Sequence, residues 1–74
     1  MIEISAGVHQ DKIIELLNNY NEDGIQFTFH EKKGINLYFS TNIEDLEKAA
    51  SVAKSVIKKQ PWGSVLYFRS SPLS

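Results

Sequence analysis

The chain has 74 residues and a formal net charge of −1, with 42% apolar and 23% charged residues. This length suits one small folded domain, so we predict a single domain over residues 1–74, with residues 70–74 as a short C-terminal tail. The nearly neutral charge argues against a dedicated nucleic-acid binder. The absence of cysteine excludes disulfides, thiolate zinc sites and cysteine nucleophiles.

The composition also gives expectations about location. The first residues have no basic segment followed by an apolar run, so they do not read as a secretory signal. No stretch approaches the ~20 apolar residues that a bilayer-spanning helix needs. Because a chain without cysteine suits a reducing compartment, we expect a cytoplasmic protein with no membrane partner.

The chain begins with a predicted strand and a predicted helix. Residues 2–6 alternate apolar and polar side chains, which is the period of a half-buried strand. From Asp11 to Tyr20 the apolar residues instead fall on one helical face. Gly24 predicts the end of this helix, because glycine readily adopts the left-handed conformation that terminates helices.

Two further alternating segments, residues 25–31 and 35–40, predict a β-hairpin. Gly34 between them suits a type I turn followed by a left-handed residue, which gives a three-residue loop. In that register Phe29 lies opposite Leu37, and the apolar residues of both strands point toward the core.

A second helix and a last strand complete the chain. Thr41 and Glu44 have the spacing of a capping box, and the apolar residues that follow them lie on one helical face. Pro61 ends this helix, and residues 64–70 predict a final strand with Leu66 and Phe68 pointing inward.

The predicted order is therefore strand, helix, strand, strand, helix, strand. With both helices on one side of the sheet, the well-populated solution is an α+β ferredoxin-like β-α-β-β-α-β sandwich. Its four antiparallel strands, numbered along the chain, would take the order 4-1-3-2. The helices would cover one face of the sheet and leave the other open.

This topology separates the charged residues into two ends. Five lysines and two acids would gather near the hairpin turn and the start of the first helix, a local charge near +3. The opposite end would hold five acids together with Lys48 and Arg69, a local charge near −3. The nearly neutral net charge is therefore the sum of two oppositely charged ends of the predicted domain.

The basic end includes the start of the first helix, where free N–H groups and the helix dipole attract anions. The loop "SAGVHQDK" and the neighbouring lysines predict four candidate anion-binding residues: Gly7, Val8, His9 and Lys33. The alternative is that solvated lysines simply flank turns, since phosphate loops usually contain more glycine than this loop does.

The same loop carries a family resemblance. The layout resembles small-molecule-binding ACT domains, with Gly7 after the first strand, then a helix, then "DGIQFTF" leading into the second strand. This resemblance covers nearly the whole chain and implies a regulatory domain that binds a small anionic metabolite at that loop. Heavy-metal-associated domains and acylphosphatases have a similar layout, but their paired cysteines and their loop arginine are absent here.

The open face of the predicted sheet is the other candidate site. Tyrosine and arginine, which carry much of the binding energy at interfaces, occur among its outward residues. An antiparallel sheet can also leave such a face in water. We expect self-association, as a dimer or a higher oligomer, through this face or the edge strands, with these candidate interface residues: Thr28, His30, Tyr38, Tyr67 and Arg69.

Catalysis has little support in the sequence, which contains no nucleophile motif and no telling carboxylate spacing. We assign no catalytic, cofactor-binding or metal-binding residue, expect no cofactor, and lean against an enzyme. His9 and His30 are too few for a closed metal site without carboxylate ligands.

The segment "KGINLYFS" begins like the octamer of RNA-recognition modules, with a basic residue and a glycine. Ile35 and Leu37 stand where that octamer places aromatic residues, so nucleic acid is not favoured as a partner. The leading hypothesis is a small non-catalytic module for binding or oligomerisation that uses the open face. An ACT-like regulatory domain and a weak RNA-binding module are the alternatives.

Overall fold

In a computed structural model, residues 1–73 are described, and they form two helices and a five-stranded sheet. The elements are, in chain order, β1 (Ile2–Ala6), α1 (Gln10–Asn18), β2 (Asn21–Glu22), β3 (Ile25–Lys33), β4 (Asn36–Thr41), α2 (Leu46–Lys58) and β5 (Phe68–Pro72). The sheet order is β2-β3-β4-β1-β5, and every neighbouring pair is antiparallel. The α+β class is confirmed, while the expected count of four strands is wrong.

The additional strand is β2, a two-residue strand that pairs with the start of β3. Between them Asp23 and Gly24 have φ values of 55° and 73°. A type I′ turn needs positive φ at both central residues, and Asp-Gly is one of its preferred sequences. Gly24 therefore serves a tight hairpin rather than the end of α1, which stops at Asn18.

The core lies between the sheet and both helices. The apolar residues of the strands alternate inward and form a single buried cluster with the helices, which places α1 and α2 on the same side of the sheet. No charged or polar side chain of the described residues is buried. The buried hydrophobic residues are Ile2, Ile4, Ala6, Ile13, Leu17, Phe27, Leu37, Phe39, Ala49, Ala50, Ala53, Val56 and Ile57.

The β3–β4 hairpin forms where it was predicted, but in a different register. Lys33 pairs with Asn36, so the loop has two residues, Gly34 and Ile35, instead of three. Gly34 has φ 60° at the first central position, as a type II′ turn requires. Ile35 is consequently 57% exposed at the turn instead of pointing inward.

A β-bulge at His30 separates two stretches of that hairpin. Before the bulge along β3, Phe29 lies opposite Phe39 and not Leu37. After the bulge, Glu31 lies opposite Tyr38. A bulge adds one unpaired residue to one strand and increases the local twist. The bulge brings Glu31 beside Tyr38 on the face away from the helices.

Two other boundaries differ from the predictions. Asp45, not Thr41, caps α2, because its Oδ1 accepts the Lys48 backbone N–H at 3.2 Å. Thr41 is the last residue of β4. The final strand begins at Phe68 instead of residue 64 and includes residues 70–72, which the sequence predicted as tail.

The connection between α2 and β5 turns back tightly over the end of the helix. Gly63 is buried, and a Cβ atom placed there would lie directly against the carbonyl oxygen of Ile57 and 3.1 Å from its Cγ2. Trp62 is half-buried against the core. This turn needs glycine because of close packing, not because of its φ value.

Both edges of the sheet have features that limit further pairing. Leu73 donates its N–H to the Met1 carbonyl at 2.8 Å, so the neighbouring residue, Pro72, has its backbone nitrogen facing away from β1. Proline offers no N–H on that outer edge. At the opposite edge, β2 covers the beginning of β3.

Candidate functional site: the open face of the sheet

The face of the sheet opposite the helices carries charged and polar residues in two adjacent rows. Residues directly opposite one another in antiparallel strands share a face, so the strand register defines each row. The basic row consists of Lys33, Asn36, Ser5 and Arg69, from β3 across to β5. The acidic row consists of Glu31, Tyr38, Glu3 and Ser71 in the same strand order.

Tyr38 lies at the centre of the acidic row, between Glu3 on β1 and Glu31 on β3. Hydrogen bonding to the Glu3 carboxylate raises the pKa of Tyr38 above its ordinary value of 10.0, with smaller contributions in the same direction from desolvation and from the Glu3 and Glu31 charges. The neutral phenol is therefore the favoured form. The row presents a protonated hydroxyl between two carboxylates.

Side-chain contacts occur both within the basic row and between the two rows. Ser5 donates its hydroxyl to Asn36 Oδ1 at 2.6 Å within the basic row. Between the rows, Lys33 Nζ lies 3.9 Å from Glu31 Oε1. His30 Nε2 lies 4.0 Å from the same oxygen. The contacts of Glu31 involve side chains that are about half exposed or more, so they orient the surface but add little stability.

The structure brings most of the predicted interface residues toward one surface. Tyr38 and Arg69 belong to the two rows, and Thr28 lies opposite Ser40 on the same face. His30 is the bulged residue and reaches Glu31. Tyr67 precedes β5 and lies beyond the end of the sheet, where it is 97% exposed.

Glu31 and Lys33 were not among the predicted interface residues, although they form the β3 ends of the two rows. The bulge at His30 places them on the open face, and no sequence pattern shows that bulge. The extra hairpin at β2, in contrast, carries a readable signal. Asp23–Gly24 is a preferred hairpin turn sequence.

The predicted anion-binding residues are only partly together. Gly7, Val8 and His9 line an open cavity of about 370 Å³ with Lys12 and Lys32. Lys33 does not line that cavity and instead lies beside Glu31. The loop itself is held in place, because the side-chain amide of Gln10 donates to the Ala6 carbonyl at 2.8 Å and to the Gly34 carbonyl at 3.1 Å.

His9 occupies the N-cap of α1 with φ 60° and makes no side-chain capping bond. Its ring lies 5.7 Å from the ring of Trp62, and Lys12 Nζ lies 5.8 Å from the same indole. Nearby Asp11 places a carboxylate in the first turn of the helix. This end of α1 is therefore partly neutralised by its own sequence.

The division of charge between the two ends needs one correction. Arg69 pairs with Ser5 one residue from the start of β5, so it lies at the basic end and not at the acidic end. The error arose because the last strand begins four residues later than predicted. The correction makes the separation of charge stronger than the sequence suggested.

Residues 1–73 contain no group of three or more histidine, aspartate or glutamate side chains arranged to hold a metal ion. Neither helix is long and apolar enough to cross a membrane. Comparison of the chain with models of known protein families, with curated proteins and with solved structures finds no match.

Proposed function

We propose that the protein is a small non-catalytic binding module that associates with a second copy of itself through the open face. We also propose that its frame is ferredoxin-like. The order β3-β4-β1-β5 of the longer strands and the placement of both helices in one layer support that description. The two-residue β2 is then an addition at one edge.

The observation that carries this proposal is the pair of oppositely charged rows. Consider a two-fold axis that lies parallel to the rows, midway between them and just above the sheet. Rotation about this axis lays the basic row of one subunit over the acidic row of the other. Each contact then occurs twice, as in any isologous interface.

In this arrangement Lys33 lies over the partner's Glu31, at the β3 ends of the rows. Arg69 lies over the partner's Ser71 and within reach of the partner's Glu3, one strand away. The two rows are two residues apart along each strand, which is about 7 Å. The axis between them therefore lies only about 3–4 Å from each row, and the rotation superposes the rows without any rearrangement of the backbone. Tyr38 lies near the axis, where aromatic residues contribute most to interfaces.

The test is the state of association in solution together with a charge exchange. Sedimentation velocity over the micromolar range should show reversible association of the unaltered chain. Lys33→Glu should weaken association by about tenfold, because two exposed pairs are each worth up to about 1 kcal/mol. The exchange Lys33→Glu with Glu31→Lys restores opposite charges and should recover association.

Lys48→Glu serves as the matched control, since Lys48 lies on α2 and away from the open face. A chain that stays monomeric throughout the micromolar range would contradict the proposal. So would equal weakening by Lys48→Glu and Lys33→Glu, because the effect would then come from net charge alone.

A second candidate function, the binding of a small anionic metabolite, has one observation in its favour. The cavity at Gly7, Val8 and His9 is also lined by Lys12 and Lys32, and it lies at the N-terminal end of α1. Thermal shifts with a panel of amino acids and nucleotides test it. A ligand whose effect disappears in Lys32→Gln would support this function, and a flat response would argue against it.

A further inference from the structure

A second surface, at the end of the sheet next to the basic row, combines exposed apolar side chains with most of the cations of the protein. Four residues, Val8, Ile35, Val65 and Tyr67, form what we call the apolar tip. They are 58%, 57%, 86% and 97% exposed, the highest values among the large apolar residues of the described chain. They come from three connections that are far apart in sequence.

The fold brings these connections to one end of the sheet. The Ala6 N–H donates to the Ile35 carbonyl at 2.9 Å, and Ala6 pairs with Phe68, which joins all three connections around the end of β1. Gly7 and Tyr67 line two open cavities, of about 550 and 320 Å³. Ile35 lines the first cavity, and Val8 and Val65 line the second.

The cations gather behind the apolar tip. Seven of the eight lysine and arginine residues of the sequence lie near these connections, six of them at the ends of elements or just beyond them and Lys54 in the second half of α2, against two acids. They are Lys12, Lys32, Lys33, Lys54, Lys58, Lys59 and Arg69. Lys54 and Arg69 line the cavity beside Tyr67, which places positive charge immediately behind an apolar contact.

The expectation of no membrane partner rested on the lack of a spanning segment, which docking on a membrane surface does not require. We infer that this end of the molecule docks on an anionic lipid bilayer. Exposed apolar residues at the connections, with Lys54 and Arg69 lining the cavity beside Tyr67 and Lys33 two residues before Ile35, match the order of acyl chains and phosphate groups at a membrane surface. The rest of the chain carries seven acids and one lysine, so an anionic surface would orient the molecule with this end toward it.

Two other anionic partners fit the same observations less well. Nucleic acid would stack on aromatic residues, but three of the four tip residues are aliphatic. An acidic protein would need a surface that matches three separate loops, whereas a bilayer adapts to protruding side chains. Val65 and Tyr67 are almost fully exposed, so they do not support the core of the protein.

The experiment is co-sedimentation of the full chain with phosphatidylcholine vesicles, with and without phosphatidylserine. We expect binding only to the vesicles that contain phosphatidylserine, with a blue shift of the single tryptophan, Trp62, which lines the cavity beside Val65 and Tyr67. Val65→Ser with Tyr67→Ser should reduce the partition coefficient by about tenfold or more. Lys54→Gln with Lys59→Gln should reduce it by about fivefold for each charge removed.

Controls lie elsewhere on the same chain. Lys48→Gln removes the one lysine outside the cluster, and Leu73→Ser removes an exposed apolar residue after the far end of β5. Both should bind as the unaltered chain does. Failure to bind phosphatidylserine vesicles would overturn the inference, as would equal losses in the control variants.

Two further measurements distinguish a lipid bilayer from nucleic acid and from a free anion. If a single-stranded oligonucleotide binds and its binding falls in Lys54→Gln/Lys59→Gln but not in Val65→Ser/Tyr67→Ser, while vesicles do not bind, the surface is a nucleic-acid site and the inference is wrong. If inorganic phosphate at millimolar concentration releases the protein from vesicles, the surface recognises a free anion and the inference is also wrong.

Discussion

The two faces of the sheet come from the same strands but differ in what holds their residues in place. On the inner face Leu37 and Phe39 are fully buried, and their positions follow from the removal of apolar surface from water. On the outer face Tyr38, between them in sequence, lies opposite Glu3 on β1 and Glu31 on β3 because of the strand register. Burial therefore fixes the positions of the residues on the inner face, whereas the strand register decides which residues are neighbours on the outer face.

The largest expected difference between the faces is in stability. Phe39→Ala should lower the free energy of unfolding by about 3–5 kcal/mol, because it leaves a cavity beside Phe29, whose ring centroid is 5.6 Å away. Ser40→Ala, the next residue and an exposed one, should change it by less than about 0.5 kcal/mol. Urea unfolding followed by circular dichroism measures both. Similar losses would show that burial does not separate the faces.

A smaller effect is expected where a polar residue lies on the inner face. Ser70 donates its hydroxyl to the Ala50 carbonyl of α2 at 2.7 Å and so ties β5 to the helix layer. Ser70→Ala should cost about 1 kcal/mol. Ser71→Ala, one residue further on the open face, should be nearly neutral. If the two variants were equally stable, the hydrogen bond to α2 would contribute nothing net.

The smallest effect is in the ionisation of the tyrosines at high pH. Burial is the main cause of the raised pKa of Tyr20, and hydrogen bonding to Glu3 is the main cause for Tyr38. Because the folded-state pKa of Tyr38 is raised, its contribution to stability is complete below pH 10.0 and is lost as the pH rises through the folded value. Glu3→Gln should lower the pKa of Tyr38 toward 10.0 and leave that of Tyr20 raised.

Nuclear magnetic resonance of the tyrosine rings during an alkaline titration distinguishes the two residues. A Tyr38 curve that does not move in Glu3→Gln would show that the Glu3 carboxylate does not hold the hydroxyl. The Tyr20 curve is the internal control, since its neighbours Glu22 and Asp23 are unchanged in this variant.

The inner face was largely predictable because alternation alone identifies it. Phe29 and Leu37 point inward in the predicted register and in the observed one, which differ by two residues near Phe29. A two-residue slip keeps every side chain on its face. The hydrophobic pattern therefore could not reveal the error.

The outer face was less predictable for the same reason. Gly34 supplies positive φ equally well in a three-residue loop or at the first position of a type II′ turn. The choice between these turns, together with the bulge at His30, decides whether Thr28 or Glu31 lies opposite Tyr38. Likewise, the apolar residues from Val65 to Phe68 predict a strand, but Gly63 packs against Ile57 and the strand β5 begins only at Phe68.

Pro72 affects how readily this molecule aggregates at high protein concentration. An unpaired edge strand can pair with the same strand of another molecule, and repeated pairing of this kind produces an aggregate without a fixed size. On β5 the proline removes one of the few donors that face outward, so the ladder that a newcomer could form there is short. We expect such growth to be resisted at this edge, which leaves the open face and the apolar tip as the neighbouring surfaces where the protein can make contacts of finite size.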